Sequence, residues 1–285
     1  MRIGIPGVMD GRELRELFGR TLRAAQPTVE QFEQLADGTV EVYLSGDRQF
    51  GRHIQNRMKQ IGERTGEDLA NRPFDPESAR LLIADETGYD DWADLVETLS
   101  KGPGDKPPLF RYAAAAMVRG DFSALEEAVG GPTEFDASVI EWYENGYFKD
   151  EPETLAEVFS AACMLGHPRA AAFLLDQRVD PAAGIRTGLN GFHYAASSGR
   201  LEVIKLLISR CAPMEVRNMY GGTVLEQALW SAVNEHRESH GAIIEALIEE
   251  GAYIEPGTLE WWNEQEVPSA ETKRRVTAAF RMRPE

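Results

Sequence analysis

Apolar positions in the second half of the chain recur in blocks. The stretch FSAACMLGHPRAAAFLLDQRVDP, from Phe159, lies over FHYAASSGRLEVIKLLISRCAPM, from Phe192, in a register of 33 residues. Phe159 falls on Phe192, Ala162 on Ala195, Gly166 on Gly199 and Leu174 on Leu207; a further step carries Gly188 to Gly221, Phe192 to Leu225 and Ala195 to Ala228. Each block predicts two antiparallel helices. Ala195 and Ala196 are small enough for helices to approach closely, and Gly199 ends the first helix in a conformation that a side chain disfavours. Val203, Ile204, Leu206 and Leu207 then give the second helix an apolar stripe. Such a pair leaves one apolar flank uncovered, and only a stacked neighbour buries it.

Beyond Ala228 the pattern stretches. Ile243, Ile244, Leu247, Gly251 and Ala252 match Val203, Ile204, Leu207, Cys211 and Ala212 with about seven extra residues. That is close to two helical turns, so an extended helix would keep its buried face. The insertion falls near residues 231–240, and Tyr253–Trp262 with Ser269–Met282 forms a terminal repeat that caps the stack. Upstream, PLFRYAAAAMVRGDFSALEEAV from Pro108 has Ala116 and Gly120 in the places of Ala162 and Gly166. It reads as a degenerate first repeat, followed by a long connection containing VIEWYENGYF.

The first hundred residues differ. KGPGDKPP, Lys101–Pro108, has the glycine and proline density of a linker, which sets an N-terminal, mostly helical domain at 1–100 and a repeat domain at 108–285. Glu77–Leu99 predicts two helices broken at Gly88, with Trp92, Leu95, Val96 and Leu99 in phase. Arg12–Ala25, Thr28–Ala36 and Phe50–Gly62 also have helical periodicity, and Thr39–Leu44 fits a short strand or a helix end.

With the 33-residue period, the stretch Gly188–Ala228 resembles an ankyrin repeat followed by the start of the next. Asn190, Gly191, Phe192 and His193 stand where that family's T-P-L-H signature falls, with the His retained; Thr223, Val224, Leu225 and Glu226 keep the Thr and Leu. Cys211 replaces the usual Gly, and Pro213 the polar finger-loop residue. The resemblance implies a mainly α fold, an ankyrin-repeat α-solenoid of four to five degenerate repeats preceded by a small helical domain. It also implies structural roles for His193 and His167, bonding the backbone of a neighbouring turn. IADETGYDDWADL, from Ile83, is similar to a helix pair found ahead of such arrays in many bacterial proteins, which implies a bacterial source and no activity.

Charge narrows the function. The chain carries 47 Asp and Glu against 30 Lys and Arg, a formal net charge of −17, which repels a phosphate backbone. Its one compact cationic cluster, Lys273, Arg274, Arg275, Arg281 and Arg283, is scattered around a helix by its spacing. No nucleic-acid partner is therefore expected. Cys163 and Cys211 are too few for a disulfide framework and lack metal spacing. No signal sequence and no apolar run of membrane length is evident, so a cytoplasmic protein is expected.

Little in the chain points to catalysis. His236 and His240 stand four apart in an expected helix, a spacing that can bind zinc, but no third ligand is evident and a solvated face is the preferred reading. His53 with Arg52, Arg57 and Lys59 could form a small anion site, but a surface histidine on a basic helix face is the preferred reading. No cofactor, metal or catalytic residue is assigned. A non-enzymatic, monomeric module is expected, binding another protein through a concave face built from the turns between repeats and the adjacent first helices. Arg186, Thr187 and Leu189 in one turn and Arg217, Met219 and Tyr220 in the next are its expected contact residues. Two alternatives stay open: a ligand-binding or enzymatic N-terminal domain with the repeats as docking arm, and an acidic immunity- or inhibitor-type protein that neutralises a basic effector.

Overall fold

The computed structural model describes residues 9–102, 106–183 and 188–282. Among the described residues there are sixteen helices and no strand. By contact the chain divides into two units, Met1–Ala116 with Glu127–Gly130, and Met117–Glu126 with Gly131–Glu285.

The first unit contains α1 (Gly11–Leu22), α2 (Val29–Leu44), α3 (Arg48–Thr65), α4 (Pro76–Glu86), α5 (Trp92–Ser100) and most of α6 (Pro108–Arg119). Asp10 and Thr28 open α1 and α2 with capping boxes, each side chain accepting from the backbone of the first turn. Helix α2 is central and packs on α1, α3, α4 and α5. Thr39–Leu44 is the last part of α2: Thr39 and Val42 continue the buried face of Leu35 at helical spacing, and the Thr39 hydroxyl donates to the Leu35 carbonyl at 2.7 Å. Helix α4 ends ahead of Gly88, whose φ of 76° suits glycine and whose missing side chain admits the Arg111 carbonyl. The glycine- and proline-rich stretch joins α5 to α6 within this unit, and Tyr112 and Ala116 of α6 share a core with Leu22.

The second unit begins around α7 (Phe122–Val129) and continues through α8 (Pro132–Glu144), α9 (Pro152–Leu165), α10 (Pro168–Asp176), α11 (Gly191–Ser197), α12 (Leu201–Ser209), α13 (Val224–Asn234), α14 (His240–Glu249), α15 (Thr258–Glu264) and α16 (Ala270–Met282). The long connection after the degenerate first repeat contains α8, in which Phe135, Val139 and Trp142 recur at helical spacing and are all buried. From α9 onward the helices alternate between two rows. In the first row α11 packs on both α9 and α13; in the second, α12 packs on α10 and α14, and α14 on α16. Ala162, Ala195 and Ala228 line the first-row contacts and are fully buried.

The insertion divides between helix and loop. Helix α13 is 11 residues long against 7 for α11, and the rest forms the loop before α14. His236 and His240 are therefore not on one helix, contrary to the expectation: α13 ends at Asn234 and His240 is the first residue of α14. The C-terminal cations are engaged as well as solvated. Lys273 donates to the Trp262 and Gln265 carbonyls and Arg275 to Glu245, while Arg283 lies outside the described residues.

Candidate partner-binding face

Two loops and two helices of the second unit form the candidate face. In the loop before α13, Asn218 folds the tip into a tight turn: its Oδ1 accepts from the backbone of Tyr220 at 2.9 Å and of Gly222 at 3.0 Å, and its amide donates to Gln227. The Met219 N–H donates to the Gly188 carbonyl at 2.8 Å, so adjacent loop tips are joined through their backbones. Because this turn satisfies its own polar groups, it projects Tyr220 and Met219 outward, 81% and 65% exposed. Leu189 is half-buried, and Arg186 and Thr187 lie outside the described residues.

Arg217 has a different place. Its guanidinium donates to the Gly221 carbonyl at 2.7 Å and to Glu255 of the next loop at 2.6 Å, with Glu226 at 3.8 Å. The Glu255 contact holds the guanidinium more firmly protonated than usual, with Glu226 and Glu215 adding to it. Arg217 thus ties two loops together. Glu215 repeats the device, accepting from the Tyr253 backbone at 2.8 Å.

The sequence reading missed three aromatics on the same part of the array: Tyr253, Trp230 and Trp261, 55%, 47% and 37% exposed. Five of the seven large exposed apolar side chains among the described residues therefore fall between Met219 and Trp261. A signal was present, since Trp230 stands one 33-residue period after Ser197, where a large apolar group has no helix-packing duty. Trp230 and Trp261 line a groove of about 380 Å³ with Leu229, Glu226 and Glu255.

The histidines bind the array together. His193 is fully buried, with Nδ1 2.7 Å from Asn190 Oδ1 and Nε2 3.2 Å from the Gly222 carbonyl of the next turn, as the resemblance implied. His240 accepts from the Arg237 N–H through Nδ1 at 3.1 Å and lies 3.1 Å from the Ser197 carbonyl through Nε2. One period earlier, Arg200 makes the equivalent bond to the Met164 carbonyl. His236 meets Thr272. His167 departs from the expectation: it stacks on Phe135 and meets the Glu126 carboxylate at 3.1 Å.

The residues considered for an anion site do not form one. Arg57 is buried, and its guanidinium is taken up by Asp85, Glu86 and Gln60, while His53 is exposed. Among the described residues no group of three or more His, Cys, Asp and Glu side chains is placed to hold a metal ion. No helix among them is long and apolar enough to cross a membrane.

A family model described as ankyrin repeats (3 copies) matches residues 159–257. The chain contains ankyrin repeats. Its ankyrin segment covers α10 to α14 in full, with the flanking loops, and includes the loop tips, Trp230 and Glu255. A search among curated proteins finds no match. Ankyrin arrays of this kind point to protein–protein interaction.

The ankyrin histidines give the protein a pH dependence. Burial pushes both His193 and His240 below the usual imidazole range. The neutral His240 ring matches its partners, whereas a proton on Nδ1 would displace the Arg237 N–H. Because folding lowers these affinities, the unfolded chain takes up more protons between the folded values and about 6.5, and stability rises with pH across that window. Urea midpoints are therefore expected to fall as pH drops below about 6.5. They should fall less steeply in His240→Gln, where an amide replaces the titrating ring. An unchanged slope in the variant would refute this.

Proposed function

We propose that the chain binds a partner protein through the loop tips and first-row helices at the end of its ankyrin array. The observation that supports this reading is the concentration of exposed Met219, Tyr220, Trp230, Tyr253 and Trp261 on neighbouring repeats. Exposed aromatic side chains cost free energy in water and lose little conformational freedom on burial, so they are suited to anchoring an interface. The backbone turn that projects Met219 and Tyr220 is already satisfied by Asn218, so no internal bond depends on either side chain. Arg217 contributes as a brace between loops, with its exposed edge available to the partner.

The test is affinity capture from the host cell with three chains: the natural one, a Met219→Ser and Tyr220→Ser variant, and a Glu202→Ser and Lys205→Ser control on the second-row helix α12. Removing an aromatic anchor typically costs about 2 kcal/mol, close to a thirtyfold weaker interaction. The captured protein should be lost with the loop-tip variant and kept with the control. All three chains should unfold within about 0.5 kcal/mol of one another. Retention by the loop-tip variant would remove these residues from the interface.

A further inference from the structure

The two-row stack changes at its last repeat. Helices α9, α11 and α13 pack side by side, but α13 and α15 make little direct contact, although α14 and α16 remain closely packed. Counted from the helix N-caps Thr223 and Gly257, Trp262 holds the place of Ala228, and hence of Ala195 and Ala162 in the earlier repeats. A tryptophan cannot fit where an alanine allowed close approach. Its ring is instead buried towards α16, with Nε1 donating to Thr277 at 3.2 Å and the Lys273 ammonium 5.0 Å from the ring. The space left between α13 and α15 is the groove of about 380 Å³ flanked by Trp230 and Trp261.

The charge around this groove is uneven. Glu226 and Glu255 line it, and with Glu215 they surround the single guanidinium of Arg217. Of these carboxylates, Glu226 and Glu255 line the groove beside the exposed Trp230 and Trp261 and share one cation, Arg217, which leaves a net negative charge there. Indole faces attract cations electrostatically, and a carboxylate rim adds a charge-assisted acceptor. The protein's own Arg217 donates to Glu255, so that carboxylate already accepts a guanidinium.

We propose that the groove between α13 and α15 receives an arginine or lysine side chain from a basic segment of the partner protein. The indoles take up its flat or aliphatic part, and Glu226 and Glu255 take its charge. This rests on the partner-binding reading above and adds the chemistry of the partner to it.

The five tryptophans, Trp92, Trp142, Trp230, Trp261 and Trp262, give separate indole N–H signals in a nitrogen-15 NMR spectrum of the full chain. Titration with hexa-arginine amide should move the Trp230 and Trp261 signals saturably and leave Trp92 and Trp142 in place. A Trp230→Ala and Trp261→Ala variant keeps the net charge, so non-specific attraction to an acidic protein is unchanged. Its affinity for the peptide should fall about tenfold. Equal affinity in that variant, no movement of the two signals, or equal movement with a neutral Gly-Ser hexapeptide would each overturn the proposal. So would movement on raising the protein concentration alone, which would show a second copy of the chain covering the groove. Should the double variant fail to fold, the pattern of moved signals in the natural chain decides. Failure here leaves the capture test at Met219 and Tyr220 unaffected, so the two readings can fail separately.

Discussion

Replacing Trp262 by Ala should lower the stability of the terminal repeat by about 3–5 kcal/mol, the range for truncating a large buried aromatic side chain. Trp262 is fully buried and holds α15 against α16 through the Thr277 hydroxyl and the Lys273 side chain. Because α15 has so little contact with α13, its helix-to-helix support comes from α16. Repeat arrays couple mainly between neighbours, so the loss should remain local. Hydrogen exchange should lose protection first in α15 and α16, while α9 and α11 stay protected until global unfolding. A uniform loss across the array, or a change in stability below about 0.5 kcal/mol, would contradict the assignment of Trp262 as the support of the last repeat.

The second large effect belongs to the first unit. Arg57 is buried between α3 and α4, donating to Asp85 at 2.8 Å and also to Glu86 and Gln60. The Asp85 and Glu86 side chains are themselves largely buried. Arg57→Leu leaves their negative charges without the central guanidinium, and breaking one partner of a buried ionic group typically costs about 3–5 kcal/mol. Arg64, which also reaches Asp85, places the expected loss near the lower end of that range. Arg57→Lys keeps the charge but not the planar fork, so a smaller loss is expected. Denaturant unfolding of the three chains orders these effects; an Arg57→Leu chain as stable as the natural one would show that the cluster contributes nothing to folding.

The repeat architecture could be read from the sequence because its causes are local and periodic. Small residues at Ala162, Ala195 and Ala228 permit close helix approach, and Gly166 and Gly199 adopt positive φ at helix ends. Helix α8 was less legible: its apolar positions, Phe135, Val139 and Trp142, are sparse and interrupted by acidic residues, and it follows a Gly-Gly-Pro turn. The insertion misled because seven residues suit two helical turns, yet the helix took only one turn and the rest formed the loop that places His240 on Ser197. Met219 and Tyr220 were legible as loop-tip residues, since family geometry fixes where the tips fall. The roles of Arg217 and Trp230 depend on what stands across a gap from them, namely Glu255 and Trp261. Sequence periodicity relates equivalent positions and carries little information about such cross-gap partners. The Arg57 cluster was hidden for the same reason, because 28 residues separate it from Asp85.

The two cysteines occupy opposite environments. Cys163 is fully buried beneath Gly191, and burial drives its thiol well above the usual range, whereas Cys211 is exposed at a positive φ of 53°. A thiolate is the reactive form, so an alkylating reagent meets one receptive sulfur on the folded protein and a second only after the helices around α9 and α11 separate. The ankyrin array therefore carries its own chemical clock: the first label marks a loop at its surface, and the delay before the second measures how often its interior opens.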